Sequence, residues 1–260
     1  MTTPSRYELS CPVSTAMQPA PSLLEVKGLD AWYGAAQVLG SVDLQVARGE
    51  VVALMGRNGA GKSTTMKAIM GMVKRKADVL NFLGVAVEGM RPYEMARRGM
   101  GYVPEDRRIF TDLTVDENLS LGRLPPRRWP DGSEAANWSK DELYALFHPL
   151  MSLRTRQAGT LSGGEQQMLT IARTLMGNPF LLLLDEPSEG VAPVVVEQMV
   201  GMIHTLKEKG TSILLSEQNL PFARQVADRA YVLEKGVIRY GGSMESLYTD
   251  DALKRRYLTL

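Results

Sequence analysis

Gly56-Arg57-Asn58-Gly59-Ala60-Gly61-Lys62-Ser63 fits the pattern G-x-x-x-x-G-K-[ST]. A loop of this composition can hold a triphosphate. Its glycines let backbone N–H groups converge on phosphate oxygens with no Cβ in the way. Lys62 would reach the β- and γ-phosphates, and Ser63 would offer its hydroxyl to Mg²⁺. Arg57, Asn58, Ala60 and Thr64 complete the stretch expected around the phosphates. Such a loop works only between a strand and a helix. Val51–Met55 before it is short and apolar, as a buried strand is, and Met66, Ile69 and Met70 after it fall at helical spacing. That helix aims its positive dipole end at the same phosphates. A glycine-rich turn that binds nothing is the bland alternative, and this context argues against it.

Two further stretches carry chemistry. In Leu182-Leu183-Leu184-Asp185-Glu186-Pro187, a buried strand delivers two carboxylates at its C-terminal end, where open parallel sheets bind ligands. Asp185 suits Mg²⁺. Glu186, one residue on, points elsewhere and can polarise the water that attacks the γ-phosphate. Leu161-Ser162-Gly163-Gly164-Glu165-Gln166-Gln167 opens a helix with two glycines and a serine, a second anion site. Taken alone, Ser162 and Glu165 read as an ordinary capping box.

In this order and spacing, the three stretches resemble the nucleotide-binding subunit of an ABC transporter, over about residues 23–242. The resemblance implies a P-loop α/β fold. A mixed-sheet core would carry an N-terminal antiparallel β-subdomain and an inserted helical subdomain. It implies that Ser162, Gly163 and Gly164 complete the ATP site of a second ATPase subunit, the two chains sandwiching two ATP molecules. Tyr33 matches the aromatic that stacks on adenine, and Ser188–Pro193 occupies the loop where subunits meet. Two positions depart from the commoner pattern. Glu105 stands where a Mg²⁺-contacting glutamine is usual, and Gln218 where a γ-phosphate-contacting histidine is usual. An amide can donate to phosphate and accept from water, but it does not change charge near neutral pH.

These departures, with Arg107–Phe110, Leu113–Val115 and Ser216–Asn219, resemble the smaller ATPase subunit of branched-chain amino acid importers. Implied partners are a second ATPase, a paralogue or an identical chain, two membrane permeases and, indirectly, a periplasmic solute-binding protein. The implied place is the cytoplasmic face of the membrane. Relatives serving urea or short amides are an alternative, because the ATPase never touches the solute. A soluble ABC ATPase acting on nucleic acid or ribosomes is a second alternative. It usually carries two cassettes or a basic extension. A P-loop kinase would leave Leu161–Gln167 unexplained. A subunit that closes on ATP but hydrolyses it poorly is a further reading, raised by Glu105 and Gln218.

Composition sets the remaining bounds. Lys+Arg number 30 and Asp+Glu 29 in 260 residues, a net charge of +1, so no broad nucleic-acid-binding surface is expected. Lys74–Lys76, Arg107-Arg108, Arg127-Arg128 and Lys254–Arg256 read as solvated basic faces. Cys11 is the only cysteine, so no intrachain disulfide can form, which suits a reducing compartment. No apolar run approaches the roughly 20 residues of a membrane-spanning helix, and the start of the chain has no apolar core of signal-peptide length.

Three segments are expected: a disordered tail over 1–22, with Pro4, Pro12, Pro19 and Pro21; the ATPase domain over 23–242, with a helical insert at about 111–177; and a C-terminal helix over 243–260. Within the insert, single helices are expected over 139–152 and 162–177. Leu124–Gly132 reads as a loop. His148 and His204 read as ordinary helix or loop residues.

Overall fold

The computed structural model describes residues 22–257; all but the last residue of the expected tail lies outside the described residues. The first strands, β1 (Ser22–Tyr33) and β2 (Ala36–Ala47), pair antiparallel around Gly34. Strand β3 (Val51–Met55) leads through the glycine loop into helix α1 (Lys62–Ile69). Then follow β4 (Lys74–Lys76), β5 (Val79–Phe82), β6 (Val85–Ala86), α2 (Pro92–Arg98) and β7 (Met100–Val103). The insert holds α3 (Val115–Leu121), α4 (Lys140–Leu146), α5 (His148–Ser152) and α6 (Gly163–Leu175). The chain returns through β8 (Leu181–Asp185), α7 (Pro193–Glu208), β9 (Ser212–Glu217) and α8 (Leu220–Val226). It ends with β10 (Arg229–Glu234), β11 (Val237–Ser243), α9 (Met244–Thr249) and α10 (Asp251–Tyr257).

Two sheets result, as the sequence leads one to expect. One is antiparallel, ordered β2-β1-β5-β6, with β4 also on β1. The other is mixed, ordered β11-β10-β3-β9-β8-β7, parallel from β10 through β7 with β11 antiparallel at its edge. Side chains alternate across a strand, and the core divides accordingly. Val51, Ala53, Met55, Leu182, Leu184, Ile213 and Leu215 face one apolar cluster, shared with α6, α7 and α8. Val52, Leu54, Leu181, Leu183 and Leu214 face a second, shared with α1 and the antiparallel sheet. The central sheet is therefore covered on both faces, which explains why its strands are near-continuous apolar runs. Each buried leucine contributes about 1.5–3 kcal/mol, enough to fix the strand ends that carry the charged loops.

Three local readings change. The helix expected over 139–152 breaks at Phe147 (φ −114°, ψ 66°), and Pro149 lies in the first turn of α5, where its missing N–H costs nothing. The terminal helix divides at Asp250, whose carboxylate accepts from Ala252 N at 2.9 Å and Leu253 N at 3.0 Å. An aspartate in that role starts a new helix rather than continuing the old one.

Arg75 and Arg127 are half-buried and held by backbone carbonyls rather than lying on a solvated face. Arg75 donates to the carbonyls of Ala68 and Ile69 at the end of α1, and to Val87 and Glu88. Arg127 donates to Arg97 O at 2.7 Å, Ala96 O at 3.2 Å and Gly177 O at 3.3 Å. Each satisfies carbonyls left open where a helix ends. The loop after α3 is tied down as well. Trp129 is buried with its ring centroid 4.6 Å from that of Phe180, and Arg48 sits 4.0 Å from the Trp129 centroid while pairing with Asp131 at 2.7 Å.

Candidate nucleotide site

The C-terminal ends of β3, β8 and β9 lie side by side. Met55 pairs with Glu217, and Asp185 with Ser216. Parallel register thus brings Gly56, Glu186 and Gln218 to one edge of the sheet although 162 positions separate the first from the last in sequence. The glycine loop packs closely against the β10–β11 turn. Gly236 N donates to Ala60 O at 2.8 Å, and a Cβ on Gly56 would meet Leu233 O at 2.5 Å. Gly61 enters α1 at φ 109°, a conformation that strains any residue with a Cβ.

Lys62 is 3% exposed and uses its three donors within this site. It donates to Gly56 O at 2.8 Å and Arg57 O at 3.2 Å, and pairs with Glu186 Oε1 at 2.9 Å. The lysine and the carboxylate, 124 positions apart, thus meet directly. The carbonyls of Gly56 and Arg57 hold the ammonium beside Glu186.

Asp185 and Glu186 are fixed separately. Ser216 Oγ donates to Asp185 Oδ1 at 2.7 Å and accepts from Glu186 N at 3.0 Å; Tyr102 Oη donates to Asp185 Oδ2 at 3.0 Å. Burial, and then the neighbouring Asp185 carboxylate, push the Tyr102 phenol well above its ordinary range, so it remains a donor. Glu186 has φ 48°, a left-handed conformation that costs of order 1–3 kcal/mol outside glycine. That turn sends Glu186 toward Lys62 while Asp185 stays on the strand end. Sequence reasoning gave Tyr102 and Ser216 no role, since only strand register sets them beside Asp185.

Mg²⁺ keeps several waters and takes one or two carboxylates beside phosphates. Ser63 and Asp185 are hard oxygen donors of that kind. Among the described residues no group of three or more His, Cys, Asp or Glu side chains forms a metal cage. This donor set fits a Mg²⁺ ion shared with nucleotide. Glu105 is exposed, and its charge is felt at Glu189.

Glu189 is a second carboxylate that sequence reasoning left without a role. Its hydrogen bond with Glu186, then burial and the charges of Glu186 and Glu105, push its carboxyl up to about 7. Burial would raise Glu186 too, but the Glu189 hydrogen bond and the Lys62 ammonium hold it below its ordinary value. The folded chain therefore keeps a proton on Glu189 that the unfolded chain releases near 4.5. The stabilisation is complete below that pH and lost as pH rises through about 7. Without nucleotide, Tm is expected to fall between pH 5 and pH 8, and Glu189→Gln to flatten that decline. Equal slopes for both proteins in a thermal melt series would remove the shared proton.

The cavity beside the glycine loop, about 420 Å³, is lined by Asn58, Glu186, Glu189 and Gln218 among others. Gln218 is exposed there. Tyr33 closes β1 with 48% of its surface free. Ser162 caps α6, its Oγ accepting from Glu165 N at 3.4 Å while Glu165 accepts from Ser162 N at 2.7 Å. Gly163 and Gly164 lie against Arg107 and Val195: an added Cβ would meet Arg107 Nη1 at 2.6 Å and Val195 Cγ2 at 2.9 Å. The three motifs are thus distributed. Two share the sheet edge, and the third is carried on the helical insert.

Comparison with known proteins agrees with this architecture. A family model described as ABC transporter matches residues 39–189. The chain is 39% identical over 236 residues to the high-affinity branched-chain amino acid transport ATP-binding protein BraG of Pseudomonas aeruginosa, covering 91% of this chain and 99% of that protein. It is 35% identical to the lipopolysaccharide export system ATP-binding protein LptB of Haemophilus influenzae, covering 91% and 97%. Among solved structures, the ADP conformation of MJ1267, an ATP-binding cassette of an ABC transporter, superposes with a TM-score of 0.73 at 27% identity, covering 90% of this chain and 97% of that one. With its phosphate loop and paired carboxylates at one sheet edge, the chain belongs to the ABC transporter family, as one of its ATP-hydrolysing subunits.

Proposed function

We propose that this chain is the ATPase motor of an importer for branched-chain, hydrophobic amino acids, working at the cytoplasmic face of the membrane with a second ATPase and two permeases. The similarity to BraG over 99% of that protein's length carries the reading. The 35% identity to LptB supports a second reading, in which the motor drives lipopolysaccharide export.

In the proposed cycle, Tyr33 stacks on adenine and the backbone of Gly56–Thr64 cradles the phosphates. Lys62 leaves Glu186 for the β/γ-phosphates. Ser63, Glu105 and Asp185 would hold Mg²⁺, which would neutralise phosphate charge. The released Glu186 carboxylate takes a proton from the attacking water. Gln218 contacts the γ-phosphate from the neighbouring strand end. Ser162, Gly163 and Gly164 serve the ATP held by the partner subunit.

A groove of about 570 Å³ between β7 and the insert supports coupling to a permease. Met72, Phe110, Leu121 and Leu124 line it and are exposed, and exposed apolar patches mark interaction surfaces. Tyr102 lines the same groove and donates to Asp185, so an apolar permease segment seated there touches the residue that steadies the Mg²⁺ carboxylate.

Reconstitution with a second ATPase, two permeases and a solute-binding protein tests the reading. ATP-driven leucine uptake into proteoliposomes is expected, lost on Glu186→Gln. Uptake of urea but not leucine, or outward lipopolysaccharide movement, would replace it.

A further inference from the structure

Glu217 takes no part in the cycle above, yet it is a buried carboxylate that lines the same cavity. It ends β9, opposite Met55, which precedes the glycine loop. Its exposure is 2%. Burying a carboxylate costs several kcal/mol unless partners replace the lost water. Three backbone N–H groups from two loops replace it here. Oε1 accepts from Ser188 N at 3.1 Å, while Oε2 accepts from Gln218 N at 3.1 Å and Asn219 N at 3.1 Å.

The two loops joined are the ones the reaction needs. Ser188 lies two residues beyond Glu186, where the chain leaves the sheet edge toward Gly190 and α7. Gln218 and Asn219 begin the other loop, and Asn219 then caps α8 by accepting from Phe222 N at 3.1 Å. Glu186, Ser188, Gln218 and Asn219 line the same cavity beside the glycine loop, as does Glu217 itself. A carboxylate suits the task where other side chains do not. Its two oxygens offer about four acceptor sites and no donor. A glutamine has one acceptor oxygen, and its NH₂ would be turned against an N–H of one loop.

We propose that Glu217 is a positioning residue that yokes the Ser188–Gly190 loop to Gln218, so that the segment leading from Glu186 toward the partner subunit and the residue facing the γ-phosphate shift together. This rests on the proposed role of Gln218 and on the expectation that Ser188–Pro193 lies where the two subunits meet. Closure of the second subunit onto Ser188–Gly190 then reaches Gln218 through a single rigid side chain. A purely structural Glu217 would steady both loops without linking turnover to them.

The test uses the full-length chain in the assembled transporter. Glu217→Gln is expected to lower kcat about 10-fold or more, the scale of losing hydrogen bonds to a charged group, with ATP affinity within about twofold of the parent. Hydrogen exchange is expected to quicken at Ser188–Gly190 and at Gln218-Asn219 together. In a Gln218→Ala background the same substitution should add little, since effects through one pathway do not multiply. Glu217→Asp keeps the charge but is one methylene shorter. It should free Ser188 while Gln218-Asn219 stay protected, and still lower kcat; this variant decides the matter if the glutamine variant does not fold. Unchanged kcat in a folded variant, loosening of only one loop in Glu217→Gln, or fully multiplicative losses with Gln218→Ala would overturn the yoke. If Gln218→Ala alone turns over like the parent, the role given to Gln218 fails, and exchange at the two loops still judges their coupling.

Discussion

Replacing Glu186 with glutamine is expected to reduce ATP turnover by about 10²–10⁴-fold, the range lost with a general base, while ATP binding persists. The geometry separates the two effects. Glutamine is nearly isosteric and inherits the strained turn at φ 48°, and Ser216 still accepts from the residue's N–H. Lys62 keeps the carbonyls of Gly56 and Arg57, so the ammonium stays at the loop's mouth. What disappears is the carboxylate. The variant loses the proton acceptor and also the negative charge that competes with phosphate for Lys62. ATP should bind at least as tightly, and size-exclusion chromatography with ATP and Mg²⁺ should show a two-chain species that does not turn over. Parent-like turnover would move the base elsewhere. Glu189, hydrogen-bonded to Glu186, is then the carboxylate to test.

Lys62→Ala acts on the other partner of that pair. ATP affinity is expected to fall by about 10–100-fold, the worth of hydrogen bonds between an ammonium and an anion. A second loss follows from burial. Lys62 and Glu186 are 3% and 9% exposed, and removing one member of a buried pair strands the other at a cost of about 3–5 kcal/mol. Glu186 answers by taking up a proton, so its pKa rises and the apparent cost shrinks at low pH. The nucleotide-free variant should therefore melt below the parent, most clearly at alkaline pH. Lys62→Arg should not restore affinity, because a planar five-donor guanidinium does not fit the place of a compact ammonium. Titration calorimetry with ATP and a melt series across pH checks both parts. Undiminished ATP affinity would contradict the loop assignment.

The coupling between these predictions was only partly legible in the chain. Local spacing revealed the phosphate loop, because turn, strand and helix signals there are adjacent and mutually supporting. It likewise revealed the capping box at Ser162, where Glu165 reaches back to the cap. Local spacing misread Arg75 and Arg127. Their charge marked them as solvated, but the carbonyls they satisfy at Ala68 and Ile69, and at Ala96 and Arg97, belong to helix ends met only after folding. The divided helices failed for a different reason. Apolar spacing runs through Phe147 and Asp250, and it does not register a proline or a capping carboxylate that makes a fresh start cheaper than continuation.

The amino-acid sequence by itself determined which groups are offered for chemistry: a glycine loop with Lys62 and Ser63, the carboxylates Asp185 and Glu186, and a glycine-rich helix start at Ser162. Residue type and local order suffice for that, since the hydrogen-bonding capacity of each group is intrinsic. Tertiary structure alone decided how they meet. Parallel pairing of β3, β9 and β8 put Lys62 on Glu186, Ser216 between the Asp185 carboxylate and the Glu186 N–H, and Glu217 against the loops that begin at Ser188 and Gln218. The reason is physical. Strand register and burial, set by apolar residues that carry no chemical signature, fix the distances on which proton transfer and ion pairing depend.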